Sequence, residues 1–197
     1  MIKHGTEGQP LLFVFAGPNG SGKTTIKRGL SGLPDHYINA DDIKVQLGLS
    51  DLEAAQEAER QRIEALESMR SFSFETVLST DRNLSLMQKA KRSGYVVQCI
   101  YVLTCNVNIN VARVKARALR GGHDVPEEKV RSRYEKALKL LPQVVAVCDW
   151  IAIYDNSTST PAPIFLKDGT EMQIIPCEDW SKDQISNLLF SEMEASE

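Results

Sequence analysis

Short apolar runs alternate with amphipathic stretches along most of the chain. An apolar run bounded by turn residues is typical of a strand buried on both faces of a parallel sheet, whereas apolar residues spaced three and four apart are typical of a helix. The runs therefore predict strands, and the stretches between them predict helices. Strands are predicted at 11–16, 37–40, 71–78, 95–103 and 149–155, and helices at 23–31, 42–47, 51–70, 83–93, 106–119 and from 126 past 141.

The C-terminal part departs from this alternation. Residues 164–175 surround an Asp-Gly pair at 168–169, which is a preferred turn between two antiparallel strands, so they predict a hairpin. Ser181 and Gln184 have the spacing of a capping box, in which each side chain bonds the other residue's backbone N–H. They predict a last helix, and the hairpin and helix together cover about 164–194.

The first predicted strand leads directly into Gly-Pro-Asn-Gly-Ser-Gly-Lys-Thr, which satisfies the phosphate-loop pattern G-x-x-x-x-G-K-[ST] at every fixed position. Glycines let successive backbone N–H groups turn inward towards a polyphosphate at a helix N-terminus. Lys23 is expected to meet the β and γ phosphates, and Thr24 to bind Mg²⁺ through its hydroxyl, with Thr25 as a less favoured substitute. The predicted ATP-binding residues here are Gly17, Pro18, Asn19, Gly20, Ser21, Gly22, Lys23, Thr24 and Thr25.

A phosphate loop followed by alternating strands and helices predicts a three-layer α/β fold of the P-loop NTPase type. We expect a central, mostly parallel five-stranded sheet with right-handed crossovers, and an active site at the carboxyl ends of the strands. No strand ends in the hydrophobic-Asp-Glu pattern of motor or transporter ATPases, which favours the nucleoside-kinase type. One domain is predicted over 1–197, with a helical lid at about 106–141.

Composition limits the classes of partner. The 197 residues carry a net charge of −3, which argues against a general nucleic-acid or membrane surface. There is no apolar run of about 18 residues and no apolar core behind a basic start, so neither a membrane span nor a signal peptide is predicted. Scattered cysteines without C-x-x-C spacing predict buried thiols in a reducing compartment, and a cytoplasmic location. These are Cys99, Cys105, Cys148 and Cys177.

Three carboxylates follow or interrupt the predicted strands at the expected ligand edge. Asp41 and Asp42 end the second strand, where one can cap the next helix and the other can face a hydroxyl to be phosphorylated. Both roles hold if Asp42 caps while Asp41 faces the substrate. Glu75 interrupts an apolar strand, so it either points into a polar crevice or pairs with a base such as Arg82.

The predicted lid is rich in arginine. Arg113, Arg117 and Arg120 lie at i, i+4 and i+7 on one helix face, where they form either a solvated stripe or a clamp over a triphosphate, since guanidinium groups match phosphate oxygens. Arg131 lies in the second lid helix, where an ion pair with Glu127 competes with a ligand role.

Four stretches together resemble the zeta toxin family of P-loop kinases, in the short bacterial branch often described as predicted ABC-type ATPases. The resemblance covers nearly the whole chain. It rests on 16–25 (AGPNGSGKTT), 37–44 (YINADDIK), 73–79 (SFETVLS) and 121–134 (GGHDVPEEKVRSRY).

The resemblance implies transfer of the ATP γ-phosphate to the 3′-hydroxyl of the amino sugar in UDP-N-acetylglucosamine, and restraint by an antitoxin protein. It implies Asp41 as the catalytic base, Glu75 as the strand carboxylate and Lys23 as the phosphate-loop lysine. Among the lid arginines it favours Arg117 and Arg120, then Arg113 and Arg131. The chain has Glu75-Thr76-Val77 where characterised family members have Glu-Gly-Thr, and it has a Gly-Gly-His-x-Val-Pro lid that they lack.

The predicted function is an ATP- and Mg²⁺-dependent phosphotransferase that acts on a hydroxyl of a small molecule, with a nucleotide sugar as the leading acceptor. Two alternatives remain open. One is a nucleotide-dependent regulatory switch with a protein partner. The other is a kinase of another metabolite or of nucleic-acid ends, which the acidic composition disfavours.

Overall fold

The computed structural model describes residues 8–27, 29–122 and 124–190. The first seven residues, residue 28 of the first predicted helix, residue 123 of the predicted lid and the end of the last predicted helix lie outside them. The strands are β1 (Leu11–Ala16), β2 (Tyr37–Ile38), β3 (Phe72–Thr76), β4 (Val96–Leu103), β5 (Trp150–Asp155), β6 (Ala162–Asp168) and β7 (Glu171–Ile174). The helices are α1 (Lys23–Lys27), α2 (Ala40–Leu47), α3 (Asp51–Glu67), α4 (Asp81–Arg92), α5 (Val107–Leu119), α6 (Glu127–Val147) and α7 (Lys182–Phe190).

The five strands predicted from the apolar runs form the parallel part of the sheet, in the order β2-β3-β1-β4-β5. β1 occupies the middle of this part, and all six of its residues are buried, as expected for a strand covered on both faces. β3 and β4 flank it, with Phe15 opposite Glu75 on one side and Ile100 on the other. The carboxyl ends of three central strands therefore meet beside the phosphate loop.

The C-terminal hairpin is confirmed, and it extends the sheet from the predicted five strands to seven. β6 pairs antiparallel with β5, and β7 pairs antiparallel with β6. The turn is Gly169-Thr170, one residue after the predicted Asp-Gly pair, because Asp168 is the last residue of β6 and pairs with Glu171; Gly169 has a φ of 60° that favours glycine. A free hairpin would leave the edge of β5 unpaired, and pairing satisfies its backbone groups.

Helices cover the two faces of the sheet unequally. The larger core joins one face to α3, α4, α6 and α7. The smaller core, on the other face, packs Phe13, Phe15, Ile100 and Val102 against Ile26 and Leu30 from the segment behind the phosphate loop. This arrangement confirms the predicted three-layer α/β architecture.

Helix termini follow their capping residues. Ser50 and Glu53 form a capping box at the start of α3. The predicted one before α7 is confirmed, since the Ser181 hydroxyl and the Gln184 side chain each bond the other residue's backbone N–H. α4 begins two residues before its predicted start. α6 continues to Val147, beyond the predicted lid, although it contains Pro142.

The predicted lid divides into two parts. Val111, Val114 and Val130 form a small cluster of their own where α5 packs on the start of α6. From its middle onwards, α6 is fastened to the sheet: the Tyr134 hydroxyl donates to the carbonyl of Thr104, and the Tyr101 hydroxyl donates to the carbonyl of Ala137. The separate unit is therefore α5 with the first turns of α6.

The four cysteines are free thiols, but only two of them are buried as predicted. Cys99 and Cys148 are buried, whereas Cys105 is exposed and Cys177 is half-buried. Burial, with Cys148 beside it, raises the pKa of the Cys99 thiol well above its usual value. None of the described helices is long and apolar enough to cross a membrane.

Candidate active site

Three glycines give the phosphate loop its shape. Gly17, Gly20 and Gly22 have φ values of 137°, 77° and 94°, which strain residues with a side chain. Space excludes a side chain as well. A Cβ at Gly17 would lie 2.0 Å from the Val102 carbonyl oxygen, and one at Gly22 would lie 2.1 Å from Asn156 Nδ2. The loop is therefore enclosed by neighbouring elements.

Two asparagines that the sequence did not single out hold the loop. Asn110 of α5 donates from Nδ2 to the carbonyl of Asn19 at 2.7 Å, and Asn156 after β5 donates from Nδ2 to the carbonyl of Ser21 at 2.7 Å. Both asparagines are buried. Because these bonds occupy loop carbonyls, the carboxamides fix the peptide planes on which an inward N–H arrangement depends.

Lys23 lies at the first residue of α1 and is buried, with 8% of its surface exposed. Its Nζ donates to the carbonyls of Gly17 at 2.8 Å and Pro18 at 3.2 Å, and lies 3.9 Å from Oε1 of Glu75. Burial lowers the pKa of Lys23 to about 8; Glu75 opposes this shift and Arg117 adds to it. The positive charge of the ammonium group is therefore buried, and the Glu75 carboxylate compensates it only in part.

Glu75 faces the phosphate loop. Its carboxylate is about one-quarter exposed and pairs with Lys23, whereas Arg82 pairs with Glu59 at 3.0 Å. Glu75 therefore pairs with a base, as one of the two interpretations predicted, but the base is Lys23 and not Arg82. Glu75 lies on β3, and Lys23 follows the phosphate loop that leaves the adjacent parallel strand β1. Both residues therefore lie at the carboxyl edge of the sheet, where α/β folds bind ligands.

The hydroxyl groups of the loop fit a magnesium-nucleotide. Thr24 and Thr25 are exposed in the first turn of α1, the position from which a phosphate-loop hydroxyl reaches the metal. Ser21 Oγ is buried and has no hydrogen-bond partner in the described part of the chain, so one polar atom of the loop is left for a ligand. Within that part, no cluster of three His, Cys, Asp or Glu residues could hold a metal by itself.

The prediction that Asp42 caps the helix after β2 is wrong. α2 begins at Ala40, and its N-cap is Asn39, whose Oδ1 accepts a hydrogen bond from the backbone N–H of Asp41 at 2.8 Å. Asp41 and Asp42 are both exposed in the first turn, where carboxylates interact favourably with the helix dipole. Neither carboxylate is therefore committed to capping.

The lid arginines differ in their contacts. Arg113 donates from Nη1 to the carbonyl of Asn156 at 2.7 Å, so it fastens α5 to the loop after β5. Arg131 forms the expected ion pair with Glu127 at 2.8 Å and also bonds Asn108. These two arginines have structural contacts that compete with a ligand role.

Arg117 and Arg120 are both exposed on α5. The charge of Arg117 contributes to the lowered pKa of Lys23, which places its guanidinium within electrostatic reach of the phosphate loop. Arg120 donates from Nε to the carbonyl of Ala116 at 3.1 Å, at the end of the same helix. Of the two, Arg117 is the one whose charge acts on Lys23.

A fifth lid arginine also reaches the phosphate loop. Arg133 on α6 donates from Nη1 to Oδ1 of Asn19 at 3.3 Å. Its role could not be predicted from spacing along the helix. Arg133 precedes Tyr134, whose hydroxyl bonds the carbonyl of Thr104 and so holds this part of α6 against the sheet.

No protein-family model matches the chain. An uncharacterised protein of Haemophilus influenzae is 33% identical over 125 residues, which are 61% of this chain and 89% of that protein.

Solved structures share the fold. A chain of the AvrRxo1-ORF1:-ORF2 structure with ATP superposes with a TM-score of 0.69 at 18% identity, and the match covers 84% of this chain. This chain spans only 60% of that one. The structure of the PezAT chromosomal toxin-antitoxin system of Streptococcus pneumoniae matches with a TM-score of 0.57 at 18% identity, over 94% of this chain and 80% of that one. The chain therefore belongs to the family of the Haemophilus influenzae protein, and it shares its fold with the AvrRxo1 and PezAT chains.

Proposed function

We propose that the protein is an ATP- and Mg²⁺-dependent phosphotransferase that phosphorylates a hydroxyl group of a small molecule. The observation that carries this proposal is the position of Lys23, buried in a complete phosphate loop and 3.9 Å from Glu75 at the carboxyl edge of the sheet. A lysine in this place can bind the phosphates, and the partly exposed Glu75 carboxylate beside it can meet an acceptor.

Each residue of the site has a proposed task. The loop from Gly17 to Thr25 binds the phosphates, and Lys23 and Arg117 neutralise charge that develops on the transferring group, which supplies most of the catalysis in this reaction class. Arg120 and Arg133 join when the lid closes. Thr24 is the residue proposed to hold Mg²⁺ through its hydroxyl, and the ion would neutralise charge on the phosphates.

Asp41 is the proposed general base. In this reaction the acceptor oxygen forms a bond to the γ-phosphorus, the bond from that phosphorus to the β-phosphate oxygen breaks, and ADP leaves. The proton of the acceptor hydroxyl passes to the Asp41 carboxylate, which lies exposed in the first turn of α2. Glu75, beside Lys23 at the carboxyl edge of the sheet, is proposed to orient the acceptor.

We propose UDP-N-acetylglucosamine, through the 3′-hydroxyl of its amino sugar, as the first acceptor to test. The support is the resemblance of four sequence stretches to the zeta toxin family, together with the shared fold. The same resemblance supports an antitoxin as protein partner, since one neighbour belongs to a toxin-antitoxin system.

The test is a mass-spectrometric screen of metabolites incubated with the protein, ATP and Mg²⁺, with the Lys23→Ala variant as the matched control. We expect the mass of one phosphate to be added to a UDP-sugar, and no such product with the variant. Phosphorylation of another metabolite class alone would replace the acceptor but keep the kinase. ATP hydrolysis that no acceptor changes would instead support a regulatory switch.

A further inference from the structure

Tyr37 connects two parts of the site that the proposed reaction needs to hold in register. It is half-buried in β2, opposite Ser73 of β3. Its ring lies under the ammonium group of Lys27, with 3.1 Å between Nζ and the ring centroid. A cation this close to an aromatic face is attracted by the ring quadrupole. Because Lys27 is on α1, the tyrosine ring contacts the helix that begins with Lys23.

The hydroxyl of Tyr37 contacts the other part. Asn39 donates from Nδ2 to this hydroxyl at 2.8 Å, and its Oδ1 accepts the backbone N–H of Asp41 at 2.8 Å. The Asn39 carboxamide therefore bonds Tyr37 through its nitrogen and Asp41 through its oxygen. Since the amide plane is rigid, fixing the nitrogen end on Tyr37 also fixes the oxygen end, which sets where the first turn of α2 begins.

The surroundings keep the Tyr37 hydroxyl protonated. Burial raises its pKa to about 12, an effect that the hydrogen bond from Asn39 opposes and the charges of Glu75 and Asp42 strengthen. The oxygen accepts from Asn39, so its own hydrogen is available to the neighbouring Glu75 carboxylate. Lys27 lies in the same cluster: burial lowers its pKa, and the same two carboxylates oppose that shift.

We propose that Tyr37 is a positioning residue that holds Asp41 in register with the phosphate loop, by contacting Lys27 of α1 on one side and Asn39 at the N-terminus of α2 on the other. The inference rests on the proposed function, because it assumes that Asp41 is the base. Tyr37 itself touches no reacting atom.

Local packing makes this link important. Ile43 is the only buried residue of α2, and Asp41 and Asp42 are exposed. With one fully buried side chain in α2, the hydrogen bonds at its N-terminus contribute directly to where its first turn lies. β2 contributes only two residues to the edge of the sheet.

The test compares variants that break the link between Tyr37 and Asn39 from either side. Tyr37→Phe keeps the ring under Lys27 and removes the hydroxyl, with its contacts to Asn39 and Glu75. Asn39→Ser keeps a side chain that can cap α2 but cannot reach Tyr37. With Mg-ATP and UDP-N-acetylglucosamine, we expect each variant to lower kcat roughly tenfold, with the KM for ATP changed less than about twofold. The double variant should be no worse than Tyr37→Phe alone, because Tyr37→Phe already breaks the link to Asn39.

Tyr95→Phe is the matched control. Its hydroxyl donates to the carbonyl of Ala65 at 2.9 Å, away from the site, so this variant should lower the melting temperature and leave kcat unchanged. An unchanged kcat in Tyr37→Phe would overturn the proposal. So would a loss of activity that follows the loss of stability, or additive effects in the double variant.

Amide hydrogen exchange tests the link without depending on the reaction. Tyr37→Phe should make the Asp41 amide exchange at least several-fold faster, with the exchange of β1 amides unchanged. If the wild-type protein transfers no phosphate but this change is seen, the link stands and the proposed function fails. If transfer is seen and the Asp41 amide is unaffected, the link fails and the function stands.

Discussion

The two halves of the candidate site are built differently. On the nucleotide side, the phosphate loop is enclosed, with Lys23, Asn110 and Asn156 all buried. On the acceptor side, Asp41 and Asp42 lie exposed on a short helix. Three apolar side chains on or next to this helix are also exposed: Val45 by 83% of its surface, Leu47 by 59% and Leu52 by 68%.

The two sides therefore differ in how firmly their functional groups are held in place. Buried hydrogen bonds fix the loop before a ligand arrives, so its N–H groups and Lys23 need little rearrangement to meet phosphate. The acceptor side has few such bonds, and its carboxylates depend on the first turn of α2 for their direction. Variants on the two sides should consequently fail in different ways, which the following predictions use.

The largest effect is expected at Asp41. Asp41→Asn keeps the shape of the side chain but cannot take up the acceptor proton, so phosphoryl transfer should fall by roughly 10² to 10⁴. Mg-ATP affinity should stay nearly unchanged, since the phosphate loop is untouched. Parallel measurements of turnover and nucleotide dissociation constant check this result.

Asp42→Asn, one position along the same turn, is the control, and we expect it to lose less turnover. Near-normal turnover in Asp41→Asn would remove Asp41 from the mechanism.

Lys23→Ala should lose both turnover and nucleotide affinity. Removing the ammonium takes away a preorganised charge, so we expect turnover to fall by roughly 10² to 10³ and nucleotide binding to weaken with it. The fold should survive, because the side chain contacts only Gly17, Pro18 and Glu75 through its charged end. Full activity in a folded variant would contradict the kinase assignment.

The pKa of Lys23 predicts a pH dependence of stability. Its folded value of about 8 lies below the ordinary 10.5, so the unfolded chain binds the proton more tightly. Between these two values, the free energy of unfolding of the wild type should rise with pH relative to Lys23→Met, by at most roughly 3 kcal/mol. Below pH 8 the difference should be constant. Urea titrations of both proteins from pH 7 to 10 measure it, and parallel curves would show that burial does not disfavour the charge.

The lid should affect turnover more than stability. Arg117→Ala, Arg120→Ala and Arg133→Ala each remove a charged donor, and a hydrogen bond to a charged group contributes about 1.5 to 3 kcal/mol, or roughly 10- to 100-fold in rate. Melting temperatures should change little, since exposed ionic contacts contribute about 0 to 1 kcal/mol. Lys115→Ala, which removes a surface pair with Glu127 on the same lid, is the control. A large drop in melting temperature with unchanged turnover would indicate a structural role for these arginines.

Local sequence was sufficient for the phosphate loop and most elements. The loop is a contiguous motif, and its strand is a contiguous apolar run, so neither depends on distant partners. The supports of the loop could not be predicted in this way. Asn110 and Asn156 lie far along the chain from Asn19 and Ser21, and their roles become visible only when α5 and the end of β5 pack beside the loop.

The start of α2 shows a different limit. The sequence Asn39-Ala40-Asp41-Asp42 contains three residues that cap helices about equally well, so propensity cannot choose among them. Asn39 caps in the structure, and it alone of the three also bonds Tyr37. A contact outside the helix thus favours one start over its neighbours. In the same way, the hairpin was predictable from its turn, but its pairing with β5 was not.

The most direct test of the proposed function is the release of ADP from Mg-ATP measured with and without UDP-N-acetylglucosamine, in the wild type and in Asp41→Asn. We predict that the acceptor raises ADP release by the wild type, in a one-to-one ratio with phosphorylated sugar, and that Asp41→Asn binds Mg-ATP as tightly but loses this response. ADP release that neither this acceptor nor a metabolite extract changes would contradict the account.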